Sequence, residues 1–457
     1  MEENNTPITS DEVKKGSAET VVDANDESSA PEIHHHHHSR HHSHHHSHHH
    51  HHHRKKSGSY RHSNKFISFL KKHKSVLINV ASCTVSLVLL VLLAFNYDSI
   101  IGKNATKDAE SEITQSSIKI ESSIFMNEVP LVHQAILSYL DASNDQNATA
   151  VYKMYSGYNQ KLNIGLPVKY TYRISALPSG ILIEEATLDV SENEAFDDSK
   201  TYTFADNTES IDIFHLIPGT KYYYRLSLKL SNGRKVNTCG DFSTVASPRI
   251  LSIDGIVNAR DIGGWATGNG RKIKYGLLYR GSELDGSIEP SYLLTEQGLD
   301  TLISSLGVRF DMDLRAESDA KGDALGANVI HRNYGIGIYS QIFNENNNEK
   351  VRNVFADLAN TDNYPIYMHC TYGRDRTGTV CYLLEALLGV SDGDLRREYE
   401  MSAFTDSYVN AEEFAVFVAR IQMLEGATTQ EKVEGYLLSI GVTAEEIDSI
   451  RNIFLGE

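Results

Sequence analysis

The residues whose types and spacing allow chemistry are concentrated in YPIYMHCTYGRDRTG, between Tyr364 and Gly378. The segment reads as an apolar strand, a turn from Cys370 to Arg376, and a helix beginning TGTVCYLLEALLG. At such a helix start, unpaired backbone N–H groups converge on an anion and the dipole adds about half a positive charge. A cysteine at the mouth of that loop has its thiolate stabilised by the same amides and by Arg376, and would be poised to attack phosphorus. Arg376 can grip two equatorial oxygens of a phosphoryl group through its fork, which a lysine cannot do. Thr377 can donate its hydroxyl to the sulfur, easing its departure when a phosphocysteine is hydrolysed. His369 reads as an organiser of the loop, since an ionised nucleophile needs no base.

The elements that must position this loop follow from periodicity. From Ile250 onward, short apolar strands at Val308 to Leu314 and Tyr364 to Met368 alternate with helical stretches ending near Gly389 and Leu455, an α/β pattern. Residues 160 to 247 differ. Tyr222, Tyr224, Leu226, Leu228 and Leu230 alternate with polar residues and stop at Asn232-Gly233, a strong hairpin signal, so this stretch is expected to be all-β.

Two resemblances sharpen these expectations. His-Cys-x5-Arg-Thr at residues 369–377 is the signature of protein tyrosine and dual-specificity phosphatases. The fuller HCTYGRDRTG resembles the HCxxGKDRTG loop of bacterial tyrosine and phosphoinositide phosphatases. NARDIGGW (258–265), LYRGSE (278–283), DLRAE (313–317), LGVSD (388–392) and GVTAEE (441–446) follow in that family's order, so the similarity spans about residues 250 to 455. It implies Cys370 as nucleophile, Arg376 as phosphate clamp and Asp375 as candidate general acid. It also implies a phosphate cradle of Thr371, Tyr372, Gly373, Arg374 and Thr377, with His369, Asp261, Arg280 and Asp313 in support. Asp261 or Asp313 could serve as the acid instead, reaching the leaving oxygen from neighbouring loops. Alternatively Arg260, Asp261, Arg280 and Asp313 form a structural ion-pair network beneath the site. Arg374 stands where the family usually has Lys, and Tyr372 where it usually has a small residue, which leaves phosphotyrosine, phosphoserine and lipid open. Leu216-Ile-Pro-Gly-Thr-Lys-Tyr222 in turn resembles the Leu-x-Pro-x-Thr-x-Tyr corner of fibronectin type III domains, where the Tyr hydroxyl ties a sandwich corner to nearby backbone.

The N-terminal part is of another kind. Residues 1–64 lack apolar periodicity, and sixteen of the 22 histidines fall between His34 and His53, so a disordered tail is expected, a solvated spacer whose imidazoles could hold metal loosely. Residues 75–95 (SVLINVASCTVSLVLLVLLAF) form an uncharged run long enough, at ~1.5 Å per residue, to cross a hydrocarbon core, so a transmembrane helix is expected. Eight Lys/Arg between Arg54 and Lys74 precede it without an acid, which places the tail in the cytoplasm and the rest outside. Residues 98–159 are expected as a polar stalk, with an amphipathic helix from about Val129 to Leu140. Of the net charge of −17, residues 1–74 carry +2, leaving −19 for the remainder, so no nucleic-acid surface is indicated. Cys83, Cys239, Cys370 and Cys381 are too scattered for a disulfide framework or zinc site.

The expectation is therefore a multi-domain chain: tail (1–64), membrane helix (75–95), stalk (98–159), fibronectin III-like β-sandwich (160–247) and α/β cysteine-phosphatase domain (248–457). A protein-tyrosine or dual-specificity phosphomonoesterase acting through phosphocysteine is expected, without metal or cofactor, on a phosphorylated protein or a phosphoinositide. The alternatives are a phosphoinositide phosphatase and, from another class, a surface binding protein whose phosphatase-like domain captures phosphate without turnover.

Overall fold

The computed structural model describes residues 118–124, 126–141, 162–205, 208–405 and 409–456. All of them fall in one compact unit, Thr106–Glu457. The expected tail and the apolar run 75–95 lie outside the described residues, as does Cys83. Among the described residues, no helix is long and apolar enough to cross a membrane.

The first half of the unit is a pair of packed sheets. β1 (Lys119–Ile124), β2 (Glu128–Val129), α1 (Gln134–Asp141), β3 (Val168–Ala176), β4 (Ile183–Ser191), β5 (Lys200–Thr203), β6 (Ser210–Ile213), β7 (Lys221–Leu230) and β8 (Lys235–Thr244) follow in order. One sheet has the order β1-β3-β6 and the other β2-β8-β7-β4-β5. The alternation in β7 buries Tyr222, Tyr224, Leu226, Leu228 and Leu230 on one face, as its period-2 sequence demands. The first four share a core with Tyr170, Leu188, Ile213 and Phe242. The expected corner bond is present: the Ile217 amide donates to the Tyr222 hydroxyl at 2.8 Å.

The sandwich begins earlier than residue 160. Its first strand is β1, whose Lys-Ile-Glu-Ser-Ser-Ile has only two apolar residues and so reads as polar connector until it pairs with β3. The described part of the expected stalk is thus not a free spacer. The amphipathic helix near 129–140 exists as α1, one turn later in its start, and it buries Ala135, Ile136 and Tyr139.

The second half is α/β. β9 (Arg260–Asp261), β10 (Leu278–Gly281), β11 (Phe310–Asp313), β12 (Ile330–Asn333) and β13 (Ile366–His369) form a sheet of order β12-β11-β13-β10-β9. β13 lies at its centre, parallel to both β10 and β11. The helices are α2 (Glu296–Asp300), α3 (Glu345–Leu358), α4 (Asp375–Leu387), α5 (Asp392–Glu400), α6 (Ala411–Gln422), α7 (Thr429–Ser439) and α8 (Ala444–Leu455). β13 and α4 are the buried pair of the domain. All four residues of β13 are buried, and so is nearly every residue of α4, which is why both read as apolar runs in the sequence. The loop between them therefore opens at the carboxyl end of the central strand, where open α/β sheets place their ligands.

Candidate active site

Cys370 follows directly on β13 and is 3% exposed. The helix that faces it begins at Asp375, two residues before the sequence pattern suggests, so Asp375 and Arg376 lie in the first turn of α4 rather than in the loop. Gly373 makes the turn possible. Its φ is +61°, and a Cβ there would lie 2.2 Å from the carbonyl oxygen of Gly281. Only glycine fits so close to β10 in the left-handed region.

The loop carbonyls are held from below. Asn258 Nδ2 reaches the carbonyl oxygens of Tyr372 (3.2 Å) and Gly373 (3.1 Å), and Arg280 Nη2 donates to Gly373 at 2.6 Å. Arg280 and Arg260 are both fully buried and share one carboxylate, Glu398: Arg280 Nη1 donates to Oε2 at 2.6 Å and Arg260 Nε to Oε1 at 2.7 Å. Burial and its neighbour Arg280 together push the Arg260 guanidinium below its ordinary range. Glu398, despite complete burial, is held below the usual carboxylate range by the two arginines. Arg260 and Arg280 thus form an ion-pair network beneath the loop through Glu398, whereas Asp261 and Asp313, which the sequence also allowed in it, pair with Arg249 and Arg315.

His369 sits beneath Cys370. Its Nε2 makes a 2.9 Å ion-pair contact with Asp311 Oδ1, and Asp311 Oδ2 lies 2.9 Å from His331 Nδ1. Burial opposes its charge, but Asp311 and Asp313 outweigh that and push the imidazole up to about 9. It is a cation under the loop, consistent with an organiser.

Two of the three candidate acids are engaged elsewhere. Asp261 accepts from Arg249 Nη1 (2.9 Å) and from the amides of Gly263 and Gly276, and burial raises its carboxyl above the usual range. Asp313 is bound by Arg315, whose guanidinium also reaches Glu283 and Asp285. Neither makes a hydrogen bond to the loop among the described residues. Asp375 remains, 8% exposed, with Arg374 donating to it from Nε and Nη2 at 2.9 Å each, while Tyr339 donates to its Oδ1. Tyr339 in turn lies 2.7 Å from the Tyr399 hydroxyl. Arg374 is folded back onto Asp375 and lies 5.2 Å from the Tyr372 ring centroid. Tyr372 meets Tyr292 edge-on at 5.8 Å.

Two polar atoms in this cradle stand apart. Arg376 Nε and Thr377 Oγ1 are buried without a hydrogen-bond partner among the described residues, although such groups are nearly always paired. Both belong to residues that the loop chemistry assigns to a phosphoryl group and to the sulfur. Among the described residues no group of three His, Cys, Asp or Glu is placed to hold a metal ion. Cys381 is fully buried in α4, and burial drives its thiol far up, so it is an inert packing residue.

Sequence reasoning did not find Glu398, Tyr339 or Tyr399. Glu398 sits in Asp-Gly-Asp-Leu-Arg-Arg-Glu-Tyr-Glu, which reads as a solvated helix face. The available signal was the two arginines of NARD and LYRG, which cannot be buried without a carboxylate.

An α/β fold with a cysteine loop at the end of its central strand defines the class of thiol-based phosphatases. Residues 251–456 match the tyrosine phosphatase family. The chain is 31% identical over 181 residues to a candidate tyrosine-protein phosphatase of Cupriavidus necator, covering 33% of this chain and 61% of that protein's length. Solved structures that resemble it include the core catalytic domain of the PP-IP phosphatase SIW14 from S. cerevisiae, in complex with citrate, and a second Siw14 catalytic core. Both are 16% identical and cover 35% of this chain; they cover 84% and 92% of those chains, with TM-scores of 0.25 and 0.22. Scores this low carry no argument.

Proposed function

We propose that the chain is a cysteine-dependent phosphomonoesterase whose preferred substrates are phosphorylated tyrosine side chains. In the first step the Cys370 sulfur attacks phosphorus and the ester oxygen leaves with a proton from Asp375, giving phosphocysteine and the free alcohol. In the second, the Asp375 carboxylate takes a proton from water as its oxygen attacks phosphorus, releasing phosphate and the thiolate. Arg376 and the loop amides meet the charge on the phosphoryl oxygens, and Thr377 donates to the departing sulfur. The observation that carries the reading is the pair of buried, unpartnered donors, Arg376 Nε and Thr377 Oγ1, beside a buried cysteine at a helix start. For Asp375 to act as an acid, Arg374 must turn from it, and an incoming phosphate is the anion that would draw it away. Tyr372 and Tyr292 supply an apolar wall suited to an aryl group, which favours phosphotyrosine over a lipid head group.

Turnover of p-nitrophenyl phosphate by the full chain tests the activity. Cys370→Ser should retain phosphate binding and lose turnover by at least about a thousandfold. A serine variant with substantial activity would remove Cys370 from the nucleophile role. Comparing a phosphotyrosine peptide with a phosphoinositide at matched concentration tests the substrate class, and faster lipid turnover would reverse it.

The setting is part of the same proposal. The sandwich is a fibronectin type III-like module, supported by its two-sheet topology and the Tyr222 corner bond. The run 75–95 is a membrane span with the catalytic domain outside, supported by its length and the basic flank before it. Cys239 is exposed on β8 and serves as the reporter. A membrane-impermeant maleimide should label it in intact cells, and protection until lysis would invert the topology.

A further inference from the structure

The connection from β2 to β3 leaves the sandwich and enters the phosphatase domain. α1 places Ala135, Ile136 and Tyr139 in the same apolar core as Cys370, α4 and α6, with Val132 before it and Leu162 at the return of the chain. The two ends of the excursion meet, since the Leu166 amide donates to the Leu131 carbonyl at 2.8 Å. Gly165 lets the returning chain run against the domain entrance: a Cβ there would lie 2.3 Å from the Ile250 carbonyl oxygen.

This strap grips the supports of the loop at two points. Tyr139 donates to Glu400 Oε2 at the end of α5, and its ring meets Phe404 at 5.4 Å. α5 also carries Glu398, which fixes Arg260 and Arg280, and Tyr399, which contacts Tyr339. The second point is more direct. The amides of Leu162 and Asn163 donate to the Phe404 carbonyl at 3.0 and 3.1 Å. The Asn163 side chain, 3% exposed, donates from Nδ2 to Asn258 Oδ1 (2.9 Å) and to the Met401 carbonyl (3.2 Å). Asn258 is the residue whose Nδ2 holds the carbonyls of Tyr372 and Gly373, and its Oδ1 also accepts from Arg260 Nη1 at 2.5 Å.

We propose that this strap from the sandwich is a working part of the phosphatase site, and that Asn163 is a positioning residue that orients Asn258 and through it the phosphate loop. A side-chain amide offers its oxygen and nitrogen in two nearly equivalent orientations, so an asparagine holding a loop is only as well oriented as its own partners make it. Asn163 and Arg260 both present donors to Asn258 Oδ1, which forces the NH2 toward the loop carbonyls. Removing one donor leaves Asn258 free to turn, and small loop displacements carry large kinetic costs. The phosphatase domain then does not begin at residue 248: the described residues 131–141 and 162–166 belong to it, although they lie between two strands of another module.

The inference rests on reading the site as a thiol phosphatase, and the test separates the two. In the full chain, Asn163→Asp keeps the side-chain size but turns the donor facing two acceptors into a carboxylate oxygen. We expect kcat on p-nitrophenyl phosphate to fall about tenfold or more while KM changes less than about threefold. The rate at which iodoacetate alkylates Cys370, located by peptide mass spectrometry, should fall in parallel, with the melting transition kept cooperative. Asn163→Ala, which leaves only Arg260 on Asn258 Oδ1, should show the same pattern, and Tyr139→Phe a weaker one through Glu400. A folded Asn163 variant with kcat and alkylation rate both within about twofold of wild type would overturn the proposal, as would a loss confined to KM or one that tracks the folded fraction. Alkylation needs no turnover, so a wild type inactive on every phosphate ester, with slower alkylation in the variants, would refute the phosphatase reading and leave the strap standing.

Discussion

At the scale of single residues, the site is a set of donors aimed at one anion, and the least conventional member is Asp375. Among the described residues it is the only candidate acid beside the loop, yet Arg374 and Tyr339 both donate to it. Asp375→Asn should therefore lower kcat by about a hundredfold on a phosphotyrosine peptide, whose leaving oxygen needs a proton. On p-nitrophenyl phosphate, whose leaving group needs little help, the loss should be far smaller. Equal losses on both substrates would take the acid role from Asp375. Arg374→Ala frees Asp375 from its cation, so on this account it weakens substrate binding without abolishing turnover, seen as a rise in KM larger than the fall in kcat. Cys370, Arg376 and Thr377 were legible in the sequence because their spacing alone forces a loop between strand and helix. The partners of Asp375 were not. Tyr339 lies 36 residues upstream, and nothing local marks it except the φ of +47° that only the fold reveals.

At the scale of elements, α5 is the clamp behind the loop. It carries Glu398, which two buried arginines share, and it receives the strap through Glu400. Breaking a buried pair by removing one partner leaves an uncompensated charge, so Glu398→Ala should cost about 3–5 kcal/mol of stability, read as a lower urea midpoint of the full chain. A cost below about 1 kcal/mol would mean that water or another carboxylate replaces it. β13 and α4 were legible as buried apolar runs, and β11 and α8 from apolar residues recurring at the strand and helix periods. β1 and the docking of α1 were not. A strand with two apolar residues and a helix with a single apolar stripe carry no information about which surface they will cover, and the Glu400 that Tyr139 of α1 meets lies 261 residues away.

At the scale of the whole molecule, three histidines contribute to the dependence of stability on pH. His369 and His331 are raised by their carboxylate partners, His369 to about 9, so their contribution is complete below about pH 6.5 and is lost as pH rises through the folded values. His215, beside Arg249 where the sandwich meets the catalytic domain, is driven by burial down to about 4, so its contribution is lost as pH falls below about 6.5. His369→Gln should flatten the fall of the full chain's melting temperature as pH rises above about 6.5. An unchanged alkaline slope would show that the charge of His369 does not depend on Asp311. Sandwich and catalytic domain form a single compact unit joined by the strap, and the chemistry is placed at the end of the central strand that this unit encloses. The most direct test of that chemistry is to quench the full-length Asp375→Asn variant with acid during turnover and map the phosphoryl group by mass spectrometry. Phosphate on the sulfur of Cys370, absent in Cys370→Ser, is the predicted result; turnover with no phosphocysteine, or phosphate on any other residue, would contradict it.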